Sequence, residues 1–152
     1  MNKINWCKEQ KNGLELINPN ANLANAYLKK AEESLETAKL AKSKDWIISA
    51  SYYTFYFSLY SIMMKMGVKC EIHSCSIAFA KHFLKDYLNV DFLEDALQAR
   101  IDAQYYVDRT VKDEIVELMI QKAPLFLVEC KEVMNKLTEN EINKIRSELN
   151  DN

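Results

Sequence analysis

The chain has 152 residues, of which 49% are hydrophobic, 11% aromatic and 28% charged, the size and profile of one packed domain rather than a disordered chain. Its 20 basic and 22 acidic residues leave a net charge of −2, which excludes a protein that holds nucleic acid by bulk positive charge and leaves room only for a local patch. Two glycines and two prolines are too few for the turns of a β-rich fold, and too few for any glycine-rich phosphate loop.

The opening Met-Asn-Lys-Ile-Asn-Trp lacks the apolar run of a signal peptide, so a cytoplasmic location is expected. Residues 1–18 read as irregular, with Trp6, Leu14, Leu16 and Ile17 as docking points, and 1–20 as an N-terminal arm. Asn18-Pro19-Asn20 is a helix start. A helix is predicted over 21–41, its apolar stripe formed by Ala24, Tyr27, Leu28, Ala31, Leu35 and Ala38 at spacings of three and four. Asp45 is placed to cap the next helix, predicted over 46–66 and stopped by Gly67.

Within that second helix, Trp46 to Met64 is a run of nineteen residues without a charge, long enough to span a bilayer. Five Ser and Thr residues and four mid-span tyrosines argue against membrane insertion. The expectation is a central helix buried on most sides, with more apolar surface than one small bundle covers, and hence a homodimer. A third helix is predicted over 73–87 and a fourth from about Asp91, with Phe92, Leu93, Ala96, Leu97, Ile101 and Tyr105 facing inward. A fifth, over 111–137, starts at a Thr110–Asp113 capping pair and carries Pro124, a predicted kink. After a Thr138–Glu141 pair, residues 138–152 read as a charged tail or short helix. The sum is an all-α fold, an antiparallel up-and-down bundle of four to five helices over 21–137.

Cys7, Cys70, Cys75 and Cys130 form no C-x-x-C pair, so no zinc or redox motif is expected and the thiols are expected free. Neither His73 nor His82 follows a Glu by three positions, so no metal site and no cofactor is expected. The aromatic run Tyr52 to Phe57 reads either as core packing or as a stacking surface for bases. Arg100, at the centre of an apolar-striped helix, is costly unless paired. It reads either as one partner of a salt bridge to Asp102, Asp108 or a distant carboxylate, or as a phosphate-binding fork.

Several segments resemble the HEPN domain family. They are Ala31-Glu32-Glu33-Ser34-Leu35-Glu36-Thr37-Ala38 in the first helix, and Ser49-Ala50-Ser51-Tyr52-Tyr53-Thr54-Phe55-Tyr56-Phe57 in the second, similar to the family's A-x-x-x-Y-Y-x-x-F. Ile72-His73-Ser74 stands before the third helix, and Arg100-Ile101-Asp102-Ala103-Gln104-Tyr105 in the fourth is similar to R-x-x-x-D-Y. The resemblance implies a dimeric helical bundle, often paired with a minimal nucleotidyltransferase in toxin–antitoxin-like systems. It also implies nucleotide or RNA phosphate binding near Arg100, with Asp102, Gln104, Tyr105 and His73 as further candidates. Catalytic members are metal-independent ribonucleases with R-x4-6-H. Here the positions after Arg100 hold Tyr105, Tyr106 and Val107, and Gln104 replaces the family's Asp. A tyrosine, with a pKa of about 10, is a poor general base at neutral pH. The expected function is therefore a binding module without the standard catalytic His. An endoribonuclease toxin with an altered site and a purely structural interaction protein stand as the alternatives.

Overall fold

The computed structural model describes residues 2–151. Seven helices and one two-stranded ribbon follow in the order α1 (Lys3–Glu9), β1 (Glu15–Leu16), α2 (Ala21–Leu40), α3 (Lys44–Met66), β2 (Val68–Lys69), α4 (His73–Phe83), α5 (Leu93–Tyr105), α6 (Asp113–Lys136) and α7 (Glu139–Asp151). The fold is all-α. α3 is its axis, packed against α2, α5 and α6, with α4 and β2 touching it at one end.

Local chemistry accounts for the element boundaries. The Asn20 side chain accepts from Leu23 N and starts α2. At α3 the cap is Ser43, accepting from Trp46 N, rather than the expected Asp45, which stands in the first turn where its charge suits the helix dipole. Gly67 closes α3 in the left-handed region at φ 75°. A Cβ there would stand 2.4 Å from Ile17 O, so glycine is required by both conformation and space. The expected Thr110–Asp113 pair does not cap α6; Lys112 occupies the cap without a side-chain bond, and Asp113 instead meets Lys44 at 2.9 Å. The pair at α7 does form, with Thr138 Oγ1 accepting from Glu141 N. Pro124 lies inside the continuous α6. The third helix ends at Phe83, shorter than expected, because residues 84–88 close into turns on the Leu84 carbonyl.

Two expectations about the N-terminus and the cysteines are corrected. The stretch read as irregular holds two elements, α1 and β1, with Ile4, Cys7 and Leu14 buried and Trp6 left 40% exposed. β1 pairs antiparallel with β2, Glu15 opposite Lys69 and Leu16 opposite Val68. Nor are all four thiols free: Cys7 is joined to Cys75 with Cα atoms 5.6 Å apart, tying α1 to the first turn of α4. The 68-residue separation hid this pairing. Cys70 and Cys130 are free and buried.

The core gathers around α3. Phe55 meets Phe92 and Phe126 edge-on at 4.9 and 5.9 Å, the preferred geometry for aromatic pairs. Thr54, Ser58 and Ser61 are buried but return their hydroxyls to α3 carbonyls, while the buried Ser51 Oγ has no partner. One chain therefore covers α3 almost completely, against the expectation that its apolar surface would spill outward. The large exposed apolar side chains stand elsewhere, among them Leu118, Leu125 and Val128 on α6. Among the described residues, no helix is long and apolar enough to cross a membrane, the serines and tyrosines of α3 lowering its hydropathy.

Candidate functional site

α3 presents Tyr52 and Tyr53 toward α5, and α4 begins at His73 beside them. The three elements converge on Arg100. Its Nη1 donates to the Tyr53 hydroxyl at 3.2 Å and to Gln104 Oε1 at 2.9 Å. Its guanidinium carbon lies 5.1 Å from the Tyr52 ring centroid and 5.5 Å from that of Tyr53. Those ring faces attract the cation. No carboxylate among the described residues pairs with it, so the salt-bridge expectation is not met. Its Nε is buried without a partner, a cost that a salt bridge would have removed.

His73 enters the cluster through Tyr52, whose hydroxyl lies 2.7 Å from Nδ1. The imidazole also stacks on Tyr56 at 3.9 Å between centroids and 2° between planes. Burial first, then the charge of Arg100, push its pKa down from 6.5 to about 4. The ring is neutral at pH 7, able to accept a proton but weakly basic. Burial raises the Tyr52 hydroxyl far above its ordinary range, with the neighbouring Tyr56 adding and Arg100 opposing, so Tyr52 stays protonated. Tyr56 is raised for the same first reason and its hydroxyl lies 3.2 Å from Ser76 Oγ.

Of the candidates named from sequence, Arg100, Gln104 and His73 come together. Asp102 does not join them: two positions along α5, it turns away and binds Gln98 Nε2 and Arg109 Nη1. Arg109 in turn lies over the Tyr106 ring at 3.8 Å. Tyr105 ends α5 and is 65% exposed, away from the core it was expected to enter. Sequence reasoning did not single out Tyr52 and Tyr53 as partners of Arg100, although both lie in the aromatic run; nothing in the spacing of α3 and α5 reveals that contact. It also passed over Arg146. On α7, Arg146 Nη1 donates to the carbonyls of Ile17, Met66 and Gly67 at 2.8, 2.9 and 2.8 Å.

Beside the cluster a cavity of about 430 Å³ opens between α2 and α3, and Tyr53 and Gln104 form its wall toward Arg100. The polar groups of the cluster are one cation, neutral hydroxyls, a carboxamide and a neutral imidazole. Such a set suits an anion that accepts hydrogen bonds.

Fold and cluster together define a helical protein with an arginine–tyrosine–histidine centre at the side of its axial helix. No family model matches the chain. Over 115 residues, covering 70% of this chain and 78% of the other, it is 27% identical to the protein named "Putative toxin MJ0142" of Methanocaldococcus jannaschii. The chain is thus a distant relative of a small archaeal protein.

Proposed function

We propose that this chain is the toxin-type half of a two-protein system, a HEPN-type helical module that binds nucleotide or RNA phosphate at Arg100. It acts as a homodimer with a minimal nucleotidyltransferase as its partner. The observation that carries this reading is the guanidinium of Arg100, held in place by neutral groups with no carboxylate to neutralise it. Arg100 keeps its charge for an incoming anion, and its planar fork matches phosphate. The name of the archaeal relative supports the toxin role. The resemblance of Ser49–Phe57 and Arg100–Tyr105 to the family motifs supports the class. Leu118, Leu125 and Val128 on α6 supply the exposed apolar surface that a subunit or partner would cover.

A second reading, a metal-independent ribonuclease, is favoured by one observation. The His that the family motif lacks on α5 has a counterpart from α4: His73 shares Tyr52 with Arg100. With its pKa near 4, the ring is a weak base at neutral pH, and this ranks cleavage below binding.

One preparation tests both. Inorganic pyrophosphate and ATP are expected to raise the melting temperature of wild type and to leave Arg100→Ala unchanged, while RNA incubated with either protein under chelation stays intact. Equal shifts in wild type and variant would overturn the Arg100 assignment. Cleavage by wild type, lost in both Arg100→Ala and His73→Ala, would establish the ribonuclease instead.

A further inference from the structure

The cavity between α2 and α3 has a chemistry of its own. Three aromatic side chains line it: Trp46, 69% exposed at its rim, and the half-buried Tyr53 and Phe57. Tyr53 and Phe57 stand nearly parallel, 5.4 Å between centroids and 28° between planes, so the wall is a continuous ring surface. Opposite them the polar lining comes from α2: Lys30, Glu33, Ser34 and Thr37, with the Lys30 ammonium 5.4 Å from the Phe57 ring centroid. The hydroxyl protons of Ser34 and Thr37 are committed to the carbonyls of Lys30 and Glu33, at 2.8 and 3.0 Å. Those two oxygens therefore keep only acceptor capacity, and Glu33 is an acceptor at both carboxylate oxygens. The α2 side thus offers the acceptors of Glu33, Ser34 and Thr37 and one donor group, the Lys30 ammonium, and the α3 side stacks.

Aromatic faces hold any base. A carboxylate and an ammonium three positions apart on one helix suit a base whose edge carries donors beside a carbonyl acceptor. Guanine presents an N1–H and an adjacent amine, two parallel donors that a single carboxylate takes bidentately. Cytosine and adenine offer one amine there, and uracil one N–H. The cavity is joined to the phosphate-binding arginine by shared residues, because Tyr53 and Gln104 both line it and both bond Arg100. At about 430 Å³ it has room for a nucleoside.

We propose that this cavity is a nucleobase subsite selective for guanine, stacking the base on Trp46, Tyr53 and Phe57 and reading its donor edge with Glu33, while Arg100 takes the attached phosphate. The subsite extends the phosphate assignment of Arg100 and rests on it for its polarity; the two fail separately in the test below.

The test follows the emission of Trp46 in a Trp6→Phe chain, where it is the one tryptophan left. GMP is expected to quench it and to bind about tenfold to a hundredfold tighter than IMP, AMP or UMP, the span of one bidentate base contact. Glu33→Gln, an exposed helix position, is expected to erase that preference and leave the binding of inorganic phosphate unchanged. Equal affinity for all four nucleotides without quenching overturns the subsite; if Arg100→Ala then abolishes their binding, the phosphate assignment survives alone. Guanosine that quenches Trp46 in Arg100→Ala as in the parent chain, with phosphate binding to neither, keeps the subsite and removes the phosphate assignment. Binding of no probe overturns both. A guanine-containing pentaribonucleotide run beside GMP separates the sources: a much tighter oligomer assigns the subsite to RNA, and equal affinity assigns it to the free nucleotide.

Discussion

Two arginines, 46 positions apart in the chain, show opposite uses of the same side chain. Arg146 reaches from α7 into the corner where α3 ends, and one nitrogen bridges three carbonyls from residues 17, 66 and 67. Those carbonyls have few other donors, because Gly67 has just ended the helix. Arg146 therefore fastens the last helix, the β-ribbon region and the axial helix at one point. Arg100, beside the first half of the axial helix, touches a hydroxyl, an amide and two ring faces, and leaves Nε buried without a bond. Filling unsatisfied backbone acceptors uses the first guanidinium for stability. Neutral partners position the second and leave its charge available.

Stability measurements separate the two roles, and the disulfide sets the upper end of the scale. Removing the Cys7–Cys75 link opens a loop of 68 residues, and Cys7→Ser is expected to cost about 4 kcal/mol by the loop-entropy relation. Chemical denaturation with and without reductant measures it; a wild type insensitive to reductant yet weakened by the substitution would place the cost in packing instead. Next comes Arg146→Ala, which strands the Ile17 and Met66 carbonyls, leaves Gly67 O with Ile17 N alone, and is expected to lose about 3 kcal/mol, with the melting temperature falling by roughly 10 °C. A loss under about 0.5 kcal/mol would show that water satisfies that corner and that the clamp is incidental.

The site makes a pH-dependent contribution. The folded state holds the His73 pKa at about 4, below the 6.5 of an exposed histidine, so folding favours the neutral ring. Its stability is complete above pH 6.5. It is lost as pH falls from there through about 4, where the unfolded chain takes up a proton that the folded chain refuses. His73→Gln should flatten this part of the stability–pH curve, and an unchanged curve would assign the loss to other groups. Arg100→Ala should move the folded His73 pKa up from about 4 without reaching 6.5, since burial is the larger cause; imidazole chemical shifts report it directly.

The smallest stability effect is the most telling. Arg100→Ala forfeits two hydrogen bonds to neutral partners but also removes the orphaned Nε, so its net cost should be within about 1 kcal/mol. An arginine whose loss costs little in folding and abolishes anion binding stands on the functional side of the comparison. A loss as large as that of Arg146→Ala would place both on the structural side.

Helix positions were legible wherever the signal was local. The Asn20 cap, the seven-residue spacing of Ala24, Ala31 and Ala38, the Gly67 stop and the Thr138 cap each need only a few neighbouring residues. The errors share one cause. Ser43 displaced Asp45 as a cap, Thr110 failed to cap α6, and α1 formed in a stretch without a strong stripe, because packing against distant elements chose among local options of similar energy. Arg100, Gln104 and His73 could be named as candidates from residue type and resemblance. Tyr52, Tyr53 and the cavity could not, since they depend on how α3 rotates against α5 and α2.

By itself, the amino-acid sequence determined that the chain is helical, where its long helices begin and end, and that α3 lies inside, because these follow from propensity, capping and hydrophobic period over short spans. Only the tertiary structure decided which cysteines pair, that one chain covers α3, that Asp102 turns from Arg100 while His73 approaches it, and that Arg146 is a clamp. Those outcomes depend on groups dozens of residues apart meeting at hydrogen-bond distance. Residue order does not encode such meetings locally, and they are settled by the packing of whole helices against one another.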